Sequence, residues 1–271
     1  MHTERHKTAK GKYESDGFYI SSAPVIPLEL VQRAIAGMDA VRAGIYDTGL
    51  PPQWSPWNPG DDPRKLCKIE MPQVANRAIM ELVSHPALGK LAAEITGARL
   101  VQVWWVQLLY KPPQDSETTF HTNVGWHQDR QYWQEWEIES ELFTAWVALS
   151  NVTSDSGPMK FVRGSHKWGF LNKGDFYGQN HDAQREEIKV PVGCKWEEVA
   201  ALLPPGGVSF HDDLTYHSSG PNLSLEPRRS FAIHLRTEKS RPCDGVKRAL
   251  TAFLHDSSYC PIIYQEAAES R

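Results

Sequence analysis

Histidine, aspartate and arginine recur in this sequence at spacings that suit a metal ion. His-x-Asp occurs twice, as His127-Gln128-Asp129 and as His211-Asp212-Asp213. On an extended chain a two-residue step returns to the same face. Each pair therefore sets an imidazole beside a carboxylate, a combination that chelates a divalent cation. A second histidine from a distant strand completes a 2-His-1-carboxylate set, which leaves metal positions open and is the arrangement of non-haem Fe(II) oxygenases. Eleven histidines make chance patterns expected, so the order of the pieces carries the argument. Some ninety residues after His127 and Asp129 comes His217, in the run LTYHSSGPN at 214–222, a strand leading into a turn. Arg228 and Arg229 follow eleven and twelve residues later and open the next strand. An arginine there suits bidentate pairing with the carboxylate of a co-substrate beside the metal. The second pair has no such continuation: His217 is too near in sequence, and only His234 and His255 lie beyond it. His211, Asp212 and Asp213 read as loop or strand-end residues beside the site. Against this stand plain structural roles: a hydrogen-bonded histidine, a solvated Arg-Arg edge and a His–Asp pair near a turn.

Those residues need strands to hold them. From residue 98 the chain supplies β-branched and aromatic runs at 100–111 (LVQVWWVQLLYK), 141–150, 159–162, 207–210 and 229–236. Pro112-Pro113, Ser156-Gly157-Pro158, Pro204-Pro205-Gly206-Gly207 and Gly220-Pro221-Asn222 punctuate them. Many short strands without βα alternation predict a sandwich or barrel rather than a parallel sheet. The first third is different. Leu30, Val31, Ile35, Met38 and Val41 recur at helical steps and predict a helix over 27–43, stopped by Gly44. A second helical stretch spans 76–95, interrupted at Pro86 and closed by Gly97, and 50–60 reads as a Pro- and Trp-rich loop. The expected organisation is a single domain over 1–271: a flexible arm at 1–14, a mostly helical layer at 15–97, a β core at 98–240 and a C-terminal extension at 241–271.

Composition excludes other classes. Lys and Arg number 29 against 33 Asp and Glu, which argues against nucleic acid as the main partner. No apolar run approaches the length of a membrane span, about 18 residues or more. Residues 1–13 are polar and lack the apolar stretch of a signal peptide. The four cysteines are far apart, so a reduced, cytoplasmic protein is expected. Ten tryptophans, seven of them between Trp104 and Trp168, point to an aromatic-lined feature or a large core.

Four motifs together resemble the phytanoyl-CoA dioxygenase family of Fe(II)- and 2-oxoglutarate-dependent oxygenases. They are GWHQDRQYW at 125–133, AWVAL at 145–149, SGPMKFVRGSH at 156–166, and HSSGPN at 217–222 with PRR at 227–229. The resemblance implies a mainly β fold, a double-stranded β-helix (a cupin-like jelly roll) with an N-terminal helical layer packed outside. It implies that His127, Asp129 and His217 bind Fe(II). It assigns 2-oxoglutarate to Arg228, with Arg229 as runner-up, and to Gln107, Ser219, Trp146, Lys68 and Gln128. It implies an oxidoreductase using O2, a hydroxylase or related dioxygenase that releases succinate and CO2. Related halogenases replace the carboxylate ligand by a small residue; Asp129 is present, which favours hydroxylation. The substrate-pocket candidates are Trp126, Arg130, Tyr132 and Trp133. With no basic cluster for the phosphates of coenzyme A, a small metabolite or natural product is preferred to an acyl-CoA. The rivals are an acyl-CoA hydroxylase of the same family, a cupin enzyme without 2-oxoglutarate, and a non-catalytic jelly-roll binding protein. The last predicts a lost ligand or arginine, and none is lost.

Overall fold

The structure is a computed structural model that describes residues 8–114, 122–244 and 250–267. The chain runs α1 (Ala9–Asp16), β1 (Phe18–Ile20), α2 (Leu28–Arg42), β2 (Cys67–Glu70), α3 (Arg77–Val83), α4 (Pro86–Thr96), β3 (Leu100–Lys111), β4 (Val124–His127) and β5 (Leu142–Ala148). It continues with β6 (Met159–Val162), α5 (His181–Glu187), β7 (Glu198–Ala200), β8 (Val208–Asp212), β9 (His217–Ser219), β10 (Arg228–Thr237) and β11 (Ile262–Gln265). Two antiparallel sheets form. The larger has the order β1-β8-β5-β10-β3-β11, with β2 also on β3; the smaller is β4-β9-β6-β7. This is the double-stranded β-helix expected from the motifs.

Strand alternation sorts the larger sheet into an apolar face and a chemical face. Phe143, Ala145 and Val147 of β5, Val208 and Phe210 of β8, and Phe231, Ile233 and Leu235 of β10 pack in one core with Leu30, Val31 and Met38 of α2, Ile79 and Leu82 of α3, and Leu88 and Ile95 of α4. The alternate residues, among them Thr144, Trp146, His211, Arg228 and His234, line cavities on the other face. In β3 the pattern breaks. His234 of β10 pairs with Trp105, but Leu235 pairs with Val103, so Trp104 is an inserted residue. Such a bulge re-aims side chains. Here Trp104 and Trp105 both join the aromatic cluster on the site side rather than the helical core.

The helices begin where local chemistry satisfies their free N–H groups. Asn76 Oδ1 accepts from Ala78 N and Ile79 N, each at 3.1 Å. Pro86 starts α4 rather than bending one long helix, so the 76–95 stretch is two helices. The structure adds detail to three of the expected segments. Within the arm assigned to 1–14, residues from Ala9 are helical: Thr8 caps α1, Gly17 closes it at φ 81°, and Tyr13 meets Phe143 edge-on at 6.5 Å. The helical layer contributes two strands, β1 and β2, to the larger sheet. The C-terminal extension contributes β11, paired to the start of β3. Short strands at sheet edges have too few residues to show a period, which is why the sequence pattern did not reveal β1, β2 and β11.

Candidate metal and co-substrate site

β4 and β9 are antiparallel neighbours, and their register sets His127 opposite His217 with ring centroids 4.1 Å apart. β4 ends at His127. Gln128 stays extended, and Asp129 opens a 3-10 turn that carries its carboxylate back to the histidines. Asp129 Oδ1 lies 3.6 Å from His127 Nε2 and 3.5 Å from His217 Nε2, and one donor atom from each residue falls within 4.8 Å of the others. Each histidine gives its Nδ1 to a backbone carbonyl, His127 to Gly125 O at 2.8 Å and His217 to Thr215 O at 2.9 Å. A carbonyl only accepts, so Nδ1 carries the hydrogen and the Nε2 lone pair faces the carboxylate. Fixing the tautomer in this way is what a metal-ligating histidine requires. Burial, with His127 and His211 close by, holds His217 well below its usual range and so neutral. Burial alone would raise the Asp129 carboxyl, but the hydrogen bond from His211 opposes it, and the carboxyl is held well below the usual carboxylate range. The set is in the protonation state that binds a divalent cation, and its donors match iron.

The other oxygen of Asp129 is occupied. Thr144 Oγ1 donates to Asp129 Oδ2 at 2.8 Å, and His211 Nε2 lies 3.2 Å from the same atom. Thr144 has one hydroxyl hydrogen, so the 2.8 Å contact between its Oγ1 and His234 Nδ1 is donated by the imidazole. His234 is fully buried, and burial lowers it to about 4, which keeps it neutral. Thus Oδ1 is left to face the histidines.

An inner cavity runs from the triad to Arg228, lined by Gln107, Trp146, Ser219 and His211 among others. Arg228 is 1% exposed and its guanidinium carbon sits 5.2 Å from the Trp146 ring centroid. It donates to Gly157 O, while its Nε and the Trp146 Nε1 have no hydrogen-bond partner among the described residues. Burial drops it to about 9. Lys111, opposite Arg228 in the strand register, is also fully buried and pushed well below its usual value by burial and by Arg228. Its ammonium reaches Ser219 Oγ at 2.8 Å and the Ser219 and Gly220 carbonyls. Arg228 remains a buried cation with no carboxylate on it among the described residues, a charge that an anion would compensate. The two arginines are also told apart: Arg229 turns outward, 3.8 Å from Asp39, and packs on Tyr110.

An outer cavity of about 190 Å³ opens on the far side of His127 and Asp129. Lys68, Tyr132 and Trp133 line it, with Trp54, Glu70, Trp105, Phe176 and Tyr177. Lys68 thus faces this cavity rather than the inner one, 3.1 Å from Glu70 Oε1 and 4.5 Å above the Phe176 ring.

Three candidates turn away from both cavities. Gln128 spends its amide on Gly169 O, Leu214 O and Leu171 N, joining two loops behind the triad, because its neighbours His127 and Asp129 take the inward direction. Trp126 alternates out from His127 and packs on Trp196 and His181. Arg130 is buried against Asp213 at 3.3 Å and Glu137 O. Conversely, His211 lies against the triad as a neighbour of Asp129, while Asp213 serves Arg130. Sequence reading passed over Thr144, His234, Lys111 and Glu70. Parity held the signal for two of them: Thr144 is two residues before Trp146, and His234 is six after Arg228.

The model of a protein family described as phytanoyl-CoA dioxygenase matches residues 13–230. The dioxygenase cdmD of Talaromyces verruculosus is 21% identical over 61% of this chain and 49% of its own length. A probable alpha-ketoglutarate-dependent hypophosphite dioxygenase of Stutzerimonas stutzeri is 26% identical over 69% of this chain and 62% of its own. The chain therefore spans about half to three-fifths of these curated relatives. Among solved structures, the epimerase SnoN in complex with Fe3+, alpha ketoglutarate and nogalamycin RO superposes with a TM-score of 0.66 at 22% identity, covering 92% of this chain and 88% of that one.

Proposed function

We propose an activity from one premise: the chain belongs to the phytanoyl-CoA dioxygenase family. On that premise it is a non-haem Fe(II)- and 2-oxoglutarate-dependent dioxygenase acting on a small organic molecule. The observation that carries this reading is the pairing of His127, Asp129 and His217 with the buried, carboxylate-free Arg228 across one cavity, whose Ser219 is held by Lys111 from behind. Similarity to relatives named as dioxygenases supports it, as does likeness in fold to a protein solved with Fe3+ and alpha ketoglutarate.

When bound, iron with 2-oxoglutarate and O2 supplies oxidation of a C–H bond, with release of succinate and CO2. The chain's own residues place the parts. His127 and His217 offer Nε2 lone pairs, and Asp129 offers Oδ1. Arg228, with a free Nε and a wall of Trp146, anchors the distal carboxylate, to which Ser219 gives a hydroxyl oriented by Lys111. Gln107 borders both cavities, between co-substrate and substrate. No side chain is needed as a nucleophile or general base. The test is the slow conversion of 2-oxoglutarate to succinate without added substrate, under Fe(II) and O2. Wild type should release succinate and Arg228→Ala should not; equal release by both would refute the assignment of Arg228.

A further inference from the structure

The outer cavity has a chemical signature that narrows its ligand, granted the activity proposed above. Its back wall is ring: Trp105 and Trp133 are 7% and 4% exposed, and Trp133 meets His234 edge-on at 4.8 Å. Its mouth is ring as well, with Trp54, Tyr132 and Tyr177 left 56%, 40% and 60% exposed. Exposed aromatic rims around a buried aromatic floor suit a flat apolar guest, which gains both burial and ring contacts. Size sets a scale: a cavity of about 150 Å³ takes up benzene, so about 190 Å³ with an open mouth takes two fused rings or their equivalent.

Charge narrows it further. Apart from the metal-facing Asp129, the ionic groups in the wall among the described residues, Lys68 and Glu70, neutralise each other at 3.1 Å. Glu70 is also held by Trp105 Nε1 at 2.6 Å and Gln107 Nε2 at 3.5 Å, and the Lys68 ammonium lies over Phe176. Among the described residues, the wall away from the metal ligands offers a charged guest no spare counter-charge. Among the neutral polar groups in the wall, which include Gln107, Tyr132 and Tyr177, His234 is a buried one that is not a metal ligand. His234 lines both cavities, and its Nδ1–H is committed to Thr144, whose own hydrogen goes to Asp129. In that tautomer Nε2 is an acceptor without a hydrogen.

We infer that the outer cavity binds an uncharged, ring-containing substrate and that His234 Nε2 accepts a hydrogen bond from a hydroxyl or N–H on it. His234 is then a specificity-determining residue. Through Thr144 it also links the substrate's donor to the carboxylate of the metal site. A site built to hydrogen-bond a substrate hydroxyl discriminates strongly against an analogue lacking it, because the buried partner is left unpaired.

The test is calorimetric titration of the protein with 2-naphthol, 2-methoxynaphthalene and 2-naphthoate, with 2-oxoglutarate present to fill the inner cavity. Naphthol should bind at least about tenfold more tightly than the methyl ether, and naphthoate most weakly. His234→Phe should bring naphthol down to the level of the ether and leave the ether unchanged, while Trp133→Ala should weaken both. Tightest binding by naphthoate, or equal binding of naphthol and ether, would overturn the inference, as would no binding at all. If His234→Phe does not fold, the wild-type ranking decides alone. The charge-transfer absorption of Fe(II) with 2-oxoglutarate, recorded on the same protein, reports separately on the oxygenase reading. A present band with no naphthol binding sinks only the substrate inference, and naphthol binding without the band sinks only the oxygenase.

Discussion

Replacing Thr144 by valine keeps the shape of the side chain and removes one hydroxyl. That hydroxyl donates to Asp129 Oδ2 and accepts from His234 Nδ1, both at 2.8 Å, in a fully buried place. A hydrogen bond to a charged group contributes about 1.5–3 kcal/mol net, and a buried N–H left without a partner costs about 1–3 kcal/mol. The two effects have separate readouts. The His234 N–H is stranded with or without metal, so it lowers the thermal midpoint of the metal-free protein. The freed Oδ2 is held by His211 alone, so Asp129 swings, and metal affinity drops by about 10–100-fold, as for other partners of metal ligands. Co(II) titration by calorimetry and thermal unfolding of the metal-free protein measure the two. Thr144→Ser should restore most of the metal affinity. If Thr144→Val binds Co(II) within twofold of wild type, Thr144 does not hold Asp129 in place and the reasoning fails.

Other expectations follow from the same geometry. Arg228→Met should raise the KM for 2-oxoglutarate by about 10–100-fold, by loss of a charge-assisted bond, whereas Arg229→Met should leave it unchanged; steady-state succinate formation separates them, and a larger effect at Arg229 contradicts the inward assignment. Gln128→Leu should unfold at lower temperature by the loss of three buried hydrogen bonds yet show an unaltered KM for 2-oxoglutarate in the folded fraction. Metal-free protein should lose stability as pH falls. His234 is lowered from 6.5 to about 4 in the fold, so below 6.5 the unfolded chain takes up a proton that the folded one refuses, and the stability lost grows to about 3 kcal/mol by pH 4. His217 acts with the same sign. Asp129, depressed in the fold, contributes stability above the unfolded carboxylate value that is lost only as pH falls through its lower folded value. Denaturant titrations at stepped pH check this, and stability that is flat or rising from pH 6.5 to 4 counts against buried neutral histidines.

What the sequence made legible and what it hid divide along physical lines. Runs of β-branched and aromatic residues bounded by turn signals, such as β3 and β6, were visible end to end, even though a bulge breaks the alternation of β3. The ligands were visible because chelation constrains their order and spacing. Trp126 and Gln128 flank His127 in extended chain and so point the other way, because adjacency to a ligand says nothing about direction. Trp104 and Trp105 share a side only through a bulge, which no alternation rule anticipates. His211 was discounted for its closeness to His217 in sequence, yet β8 and β9 belong to different sheets, so five intervening residues suffice to cross the barrel. The concentration of tryptophan in mid-chain resolves into two groups. Trp105 and Trp133 wall the outer cavity and Trp146 the inner one, while Trp126 and Trp168 pack with Trp196 behind the smaller sheet.

The most direct measurement is the visible absorption of the protein under anaerobic Fe(II) and 2-oxoglutarate, with metal content determined on the same samples. Wild type and His211→Ala are predicted to hold iron and show the charge-transfer band, and His217→Ala to hold little iron and show none. A wild type without the band, or iron lost in His211→Ala and retained in His217→Ala, would contradict the account.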